Sequence, residues 1–431
     1  MSVALWIAVV TVILFLLSIL FSINFRFGCK IRIPAYILVS VLGGAAMVLF
    51  GQISLADIGG SFLENTSVNP IKILVLFLSM TVFSLILERT NFFRFVSSSV
   101  LKRAGKNQYV IFVCLYAIIS LLTVFTSNDI IILTFTPFIC HFCKAANINA
   151  IPYLIMEFVA ANTWSLLFII GNPTNIYISS AFGIGFFDYF TKMAIPTIIV
   201  GVVSFFCMML LFGRSLKKDI TPSVEIEKIT NVPLMIISLG HLLLCVATLV
   251  ISQYINMEMW IIAFGMALSV IVCSMVCLAC QRRGLADVGE ALKKMPFEII
   301  PFIIGMFVIV LALDKTGATA WFAGLFLGTD SVFGVGFASL AGSNILNNIP
   351  MSVLFSKILV FGASEAQLYA TVIASNVGAF ITPVGALAGI MWSNLLRANK
   401  VHVSVRRFIF YGIVIGIPAF TASLLFLEFI M

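Results

Sequence analysis

Thr126-Ser127-Asn128-Asp129 and Ser343-Asn344-Ile345-Leu346-Asn347-Asn348-Ile349-Pro350 interrupt long apolar runs about half a chain apart. Inside a bilayer no water pairs a free N–H or C=O, so irregular backbone survives there only where protein or a water-filled cavity surrounds it. Interruptions matched between two halves of a membrane chain point to a transport site. The two strings therefore imply an all-α polytopic membrane protein of the inverted-repeat secondary transporter class, with about ten spans and two re-entrant hairpins.

Composition agrees, because 61% of the 431 residues are hydrophobic and only 10% are charged, which excludes a soluble domain. A bilayer span needs roughly 20 mostly apolar residues. Such runs occur near 3 to 23, 34 to 50, 70 to 87, 151 to 190, 194 to 213, 232 to 252, 259 to 280, 297 to 313, 366 to 392 and 408 to 428. Of these, 151 to 190 and 366 to 392 contain breaks. The first run lacks a basic start and a small-residue cleavage site, so it reads as a span and not as a signal peptide.

Lys and Arg concentrate in cytoplasmic loops. Arg26/Lys30/Arg32, Arg89/Arg94/Lys102/Arg103/Lys106, Lys144, Arg214/Lys217/Lys218/Lys228, Arg282/Arg283/Lys293/Lys294 and Arg397/Lys400/Arg406/Arg407 hold 21 of the 25 basic residues. The net charge of +8 thus reads as topology and not as a nucleic-acid surface. Loops with Asp57/Glu64, Glu258, Asp330 and Glu365 fall on the other side. Parity then places both termini outside, provided 109–143 and 332–361 are hairpins that enter and leave on one face. Their arms of about 15 residues are short for spans.

Each half reads span, span, short amphipathic stretch, hairpin, broken span, span. The divisions are an N-terminal span (1–33), a first repeat (34–230), a linking span (231–258) and a second, inverted repeat (259–431). Glu88-Arg89-Thr90 answers Asp314-Lys315-Thr316. Ala161-Asn162 followed by Gly171-Asn172-Pro173-Thr174 answers Ser375-Asn376 followed by Thr382-Pro383-Val384-Gly385. The amphipathic stretches are Asn91 to Arg103, suited to an interfacial arm, and Ala318 to Phe326.

The expected substrate and ion site gathers Thr126, Ser127, Asn128 and Asp129 from the first tip and Ser343, Asn344, Asn347 and Asn348 from the second. From the broken spans it takes Asn162, Asn172, Thr174, Asn175, Ser375, Asn376, Gly378 and Thr382. Gly171, Pro173, Pro350, Pro383 and Gly385 are the expected helix breaks. Asp129 is the sharpest residue, since an ionisable group deep in a membrane is by default functional; it is expected to bind H⁺ or Na⁺. Glu157, about one and a half turns beyond Pro152, is within reach of the interface and reads as structural or functional with equal weight. No Arg or Lys lies in the middle of a hairpin or broken span. Cys273, Cys277 and Cys280, and Cys140-His141-Phe142-Cys143, read as apolar filler before metal ligands, so no metal and no organic cofactor is expected. HExxH, GxGD and Ser/His pairings are lacking, which speaks against an enzyme.

Ser127-Asn128-Asp129 with Thr136-Pro137, Asn172-Pro173-Thr174-Asn175-Ile176, Asn347-Asn348-Ile349-Pro350 and Ile381-Thr382-Pro383-Val384-Gly385-Ala386-Leu387-Ala388 resemble the bacterial arsenite/antimonite efflux permeases of the ArsB type. These belong to the ion transporter superfamily, with the citrate and dicarboxylate/Na⁺ carriers. The resemblance, from about Ala35 to the C-terminus, implies ion-coupled (H⁺ or Na⁺) alternating access in a bacterial inner membrane. The implied cargo is a small inorganic solute such as arsenite or antimonite. Those permeases carry acids in both broken spans, where this chain has Asn162 and Asn376. The Ser127-Asn128 and Ser343-Asn344 pairs also resemble the Ser-Asn-Thr tips of dicarboxylate carriers, so a Na⁺-coupled citrate or dicarboxylate symporter is the second reading. Beyond the lipid bilayer, a second copy of the chain and a cytoplasmic ATPase subunit are the candidate partners.

Overall fold

The computed structural model describes residues 3–21, 23–27, 31–64, 69–217, 219–220, 226–252, 254–328 and 331–431; the charge landmarks Lys30, Lys218 and Asp330 lie outside them. The chain opens with α1 (Val3–Leu20), a small antiparallel hairpin of β1 (Asn24–Phe27) and β2 (Ile31–Pro34), then α2 (Ala35–Leu49), α3 (Leu55–Leu63) and α4 (Pro70–Arg89). It continues through α5 (Phe92–Ala104), α6 (Gln108–Phe125), α7 (Asn128–Ala145), α8 (Ile151–Trp164), α9 (Pro173–Ala181) and α10 (Phe186–Phe212). The linking span is α11 (Val232–Val250). The second half follows as α12 (Met259–Cys280), α13 (Ala286–Lys293), α14 (Ile299–Lys315), α15 (Ala318–Phe326), α16 (Val332–Leu346), α17 (Asn348–Leu359), α18 (Glu365–Val377), α19 (Leu387–Ala398) and α20 (Val405–Ile430).

The class expected from the sequence holds, with the two-stranded β1–β2 hairpin as its only sheet among the described residues. Seven helices there are long and apolar enough to cross a membrane alone, and α14 with α15, bent by 81°, makes an eighth candidate. The remaining expected spans are short (α2) or broken (α8–α9 and α18–α19). The span expected from 194 begins at Phe186, because Gly183 and Gly185 end the broken span sooner than its apolar run suggests.

The halves exchange partners in matched pairs. Helix α2 packs on α14 while α12 packs on α4, α9 packs on α17 while α19 packs on α7, and α10 lies along α20. The loops hold a further matched element. Leu55-Ala56-Asp57-Ile58-Gly59 in α3 is echoed by Leu285-Ala286-Asp287-Val288-Gly289 at α13. Each acid crosses to the other half, Asp57 pairing with Lys315 and Asp287 with Arg89 (3.2 Å). Lys315, with the Ser54 side chain and N–H, holds the Asp57 carboxyl down to about 2.

Both hairpins return to the face they leave. The arms of the first are longer than expected, 18 residues each, so length alone would let them span. The two ends of each hairpin lie together. At the start of α6, Gln108 accepts the Tyr153 hydroxyl (3.1 Å) and Phe112 packs 5.8 Å from its ring; at the far end of α7, Phe142 lies 6.4 Å from the same ring. In the second, Gln367 of α18, just after α17, donates to the Ser331 carbonyl that precedes α16 (3.3 Å). Amphipathic α5 buries Phe93, Ser97 and Leu101 on one face, the spacing of a helix lying against a core.

Candidate functional site

In the first break α8 ends at Trp164, a 3-10 turn covers Ile169–Gly171, and extended Asn172 caps α9. Pro173 is the first residue of α9, where its missing N–H costs nothing. It starts a helix here and does not kink one. Gly171 lies so close to the Ser165 carbonyl that any Cβ would overlap it. The Asn175 amide donates to the freed carbonyls of Ser165 (2.8 Å) and Phe168 (3.2 Å). The second break is built alike. A 3-10 turn at Gly378–Phe380 follows α18, Gly385 presses on the Gly378 carbonyl, and a Cβ on Gly378 would come 2.7 Å from that of Ser343.

The breaks interlock through Asn376, whose Oδ1 accepts from Asn172 Nδ2 (2.9 Å) and Ser165 Oγ (3.1 Å) while its Nδ2 donates to Asn175 Oδ1 (2.7 Å). Beside it, Ser375 Oγ donates to Thr174 Oγ1 (2.9 Å). These groups are fully or almost fully buried.

Each hairpin tip docks on the break of its own half. Asn128 Nδ2 donates to Asn162 Oδ1 (3.1 Å), and Asn162 donates to the Phe158 carbonyl (2.8 Å). In the second half Thr382 Oγ1 donates to Asn344 Oδ1 (2.7 Å), Asn347 Nδ2 to the Val384 carbonyl (2.9 Å) and Asn348 N–H to the Gly385 carbonyl (2.9 Å). Asn347 holds φ 79° and ψ 152°, a region that is costly for any residue but glycine. Ser127 caps α7 with ordinary extended backbone, and Thr126 bonds back to Leu122. Three buried oxygens around the tips and breaks, Thr163 Oγ1, Ser343 Oγ and Asn348 Oδ1, have no protein partner.

Three expectations need correction. Asp129 does not join the amide network; its side chain lines a separate cavity of roughly 350 Å³ with Tyr36, Glu298, Leu387, Met391 and Asn394. The second residue of a helix turns away from a cap contact made by the first, and here α19 leaves room behind it. Pro350 breaks nothing, since it lies in the first turn of α17 and the chain turns at Asn347. Glu157 does not reach an interface. It is fully buried, bonded to Thr136 Oγ1 (2.9 and 3.1 Å) and to Trp392 Nε1 (3.3 Å). The apolar surroundings of Glu157 in 151–161 were the available signal, because a helix apolar all round is buried all round.

The sequence profile described as citrate transporter (CitMHS) matches residues 30–368 of the chain. The chain belongs to this citrate transporter family. As a member of it, the protein is a secondary transporter of the ion transporter superfamily and a multi-pass membrane protein. The chain is 26% identical over 368 residues to an arsenical pump membrane protein of Escherichia coli, covering 81% of this chain and 84% of the relative. To a putative arsenical pump membrane protein of Bacillus subtilis (strain 168) it is 22% identical over 407 residues, covering 86% and 89%. The crystal structure of the Alcanivorax borkumensis YdaH transporter, described as having an unusual topology, superposes with a TM-score of 0.52 at 12% identity, over 99% of this chain and 96% of that one. That likeness is one of fold.

Proposed function

We propose that this family member exports trivalent arsenic or antimony hydroxides in exchange for protons, by alternating access about the interlocked breaks. One observation carries the reading: the tips and breaks meet through amides and hydroxyls alone, with no Lys, Arg or His among them. Arsenite and antimonite are uncharged trihydroxides near neutral pH. They bring O–H donors, which suit the unpaired acceptor Asn348 Oδ1 and the hydroxyl of Ser343. A citrate trianion would enter without a cation to meet it. The names of the relatives support the same cargo.

In this reading Asp129 carries the exchanged proton, and its cavity is the entry from the cytoplasm. Charge supports that orientation. The four lysines outside the basic clusters are each neutralised, Lys72 by Glu258 (2.5 Å), Lys192 by Glu365 (3.2 Å), Lys357 by Asp314 (3.2 Å) and Lys315 by Asp57. Both termini then lie outside a bacterial inner membrane. No chemical turnover of the cargo is part of the cycle.

Helix starts at the tips and breaks favour anions, which together with the family description supports the second reading, Na⁺-coupled citrate or dicarboxylate symport. Arsenite uptake into everted vesicles under a proton gradient tests the first. Accumulation that is lost in Asp129→Asn is expected. Na⁺-dependent citrate uptake with no arsenite accumulation would overturn it.

A further inference from the structure

Among the described residues, Glu157 is the one carboxyl sealed among the helices that the exchange cycle above leaves unused. It lies where three elements meet: α7 of the first hairpin supplies Thr136, α8 carries Glu157, and α19 of the second half supplies Trp392. Phe158 and Phe408 pack on the Trp392 ring at 5.2 and 5.4 Å and close the pocket. Among the described residues, no cation forms an ion pair with it. A buried carboxylate ordinarily has a paired charge or several donors; one hydroxyl and one indole fall short of that, so the pocket suits the uncharged acid.

Thr136 and Cys140 of α7 face Glu157. Helix α6 has no charged residue, α18 only Glu365 in its first turn, and α10 only Asp188 and Lys192 in its first two turns. On α19 the charged residue is Arg397, and Arg406 and Arg407 of α20 are exposed. Trp392 also lines a cavity of roughly 110 Å³ that includes Ser393, Arg397 and His402. A small swing of α19 would therefore bring water to Glu157 through this cavity, which adjoins the one lined by Asp129 at Ile390 and Asn394.

We propose that Glu157 is a second proton-binding site, which loses its proton to water through the Trp392 cavity when α19 moves off α8 and regains one when the helices close. The proton leaves as hydronium and returns from it, so no other reactant is needed. The inference rests on the carrier reading but not on the identity of the cargo.

The test is a pH titration of indole fluorescence in the purified full-length protein in lipid vesicles, without any solute. Titration of Glu157 alters the hydrogen bond to Trp392, so an emission change is expected in the native chain and in Asp129→Asn. It should vanish in Glu157→Gln and in Trp392→Phe. Thr136→Val, which keeps the carboxyl but removes one partner, should shift the midpoint without abolishing the change. An unaltered titration in Glu157→Gln, or an unshifted midpoint in Thr136→Val if Glu157→Gln does not fold, would overturn the proposal. A wrong cargo would leave all of these results unchanged and would appear only in the vesicle uptake.

Discussion

At the first hairpin tip Ser127 caps α7 without strain and Asp129 faces a cavity; at the second, Asn347 is held in a strained conformation by bonds to the second break, and Ile349 stands where Asp129 would be. The same contrast recurs in the broken helices. Glu157, five residues before Asn162, has as its counterpart Thr371, five residues before Asn376, which only bonds back to Gln367. Matched packing gives both halves one frame, yet a carboxyl at the hairpin tip and one inside the broken helix occur in the first alone. Alternating access needs the frame to be symmetric, whereas coupling to a proton needs only one copy to carry the chemistry.

The largest effect should come from moving that chemistry. Asp129→Asn is expected to lower gradient-driven transport about 100-fold, about 2.7 kcal/mol on the barrier, and Ile349→Asp in that background should not restore it; initial rates in vesicles measure both. Next comes the shared centre. Asn376→Ala strands several buried donors and acceptors and should cost about 3 kcal/mol in stability, against about 1 to 2 kcal/mol for Asn162→Ala. Thermal melts of the solubilised protein would rank them, and equal losses would break the view that the second half supplies the hub.

The strained tip gives a smaller and sharper contrast. Glycine accepts the backbone of Asn347 where alanine does not, a difference of about 1 to 3 kcal/mol. Asn347→Gly should therefore melt above Asn347→Ala, while Ser127→Gly and Ser127→Ala should differ little. The smallest effect belongs to the cross-half ion pairs. The Asp57 carboxyl is held down to about 2 from 3.8, so its contribution is complete above about pH 4 and fades only as the pH falls toward 2. Asp57→Asn should lower the melting temperature slightly and by the same amount at every pH between 5 and 8, and should cost nothing near pH 2.

Much of this was legible in the chain. Asn172-Pro173-Thr174 and Thr382-Pro383-Val384-Gly385 announce the breaks because caps, Pro and Gly are the local chemistry of a restarted helix. The direction of Asp129 was not legible, since it depends on α19, a distant helix packing on α7. Nor was the match of the tips. Pairing Ser127-Asn128 with Ser343-Asn344 follows residue names, but the capping geometry aligns Ser127-Asn128-Asp129 with Asn347-Asn348-Ile349. The Leu-Ala-Asp echo between α3 and α13 is written in the chain but carries little weight there, being short and outside the apolar runs.

The most direct test is proton movement during solute exchange in proteoliposomes of the purified protein. Arsenite added without Na⁺ should drive a countermovement of protons in the native chain, none in Asp129→Asn, and an undiminished one in Ile349→Val. Proton movement that persists in Asp129→Asn, or that appears only with citrate and Na⁺, would contradict an exchange driven from the first hairpin tip.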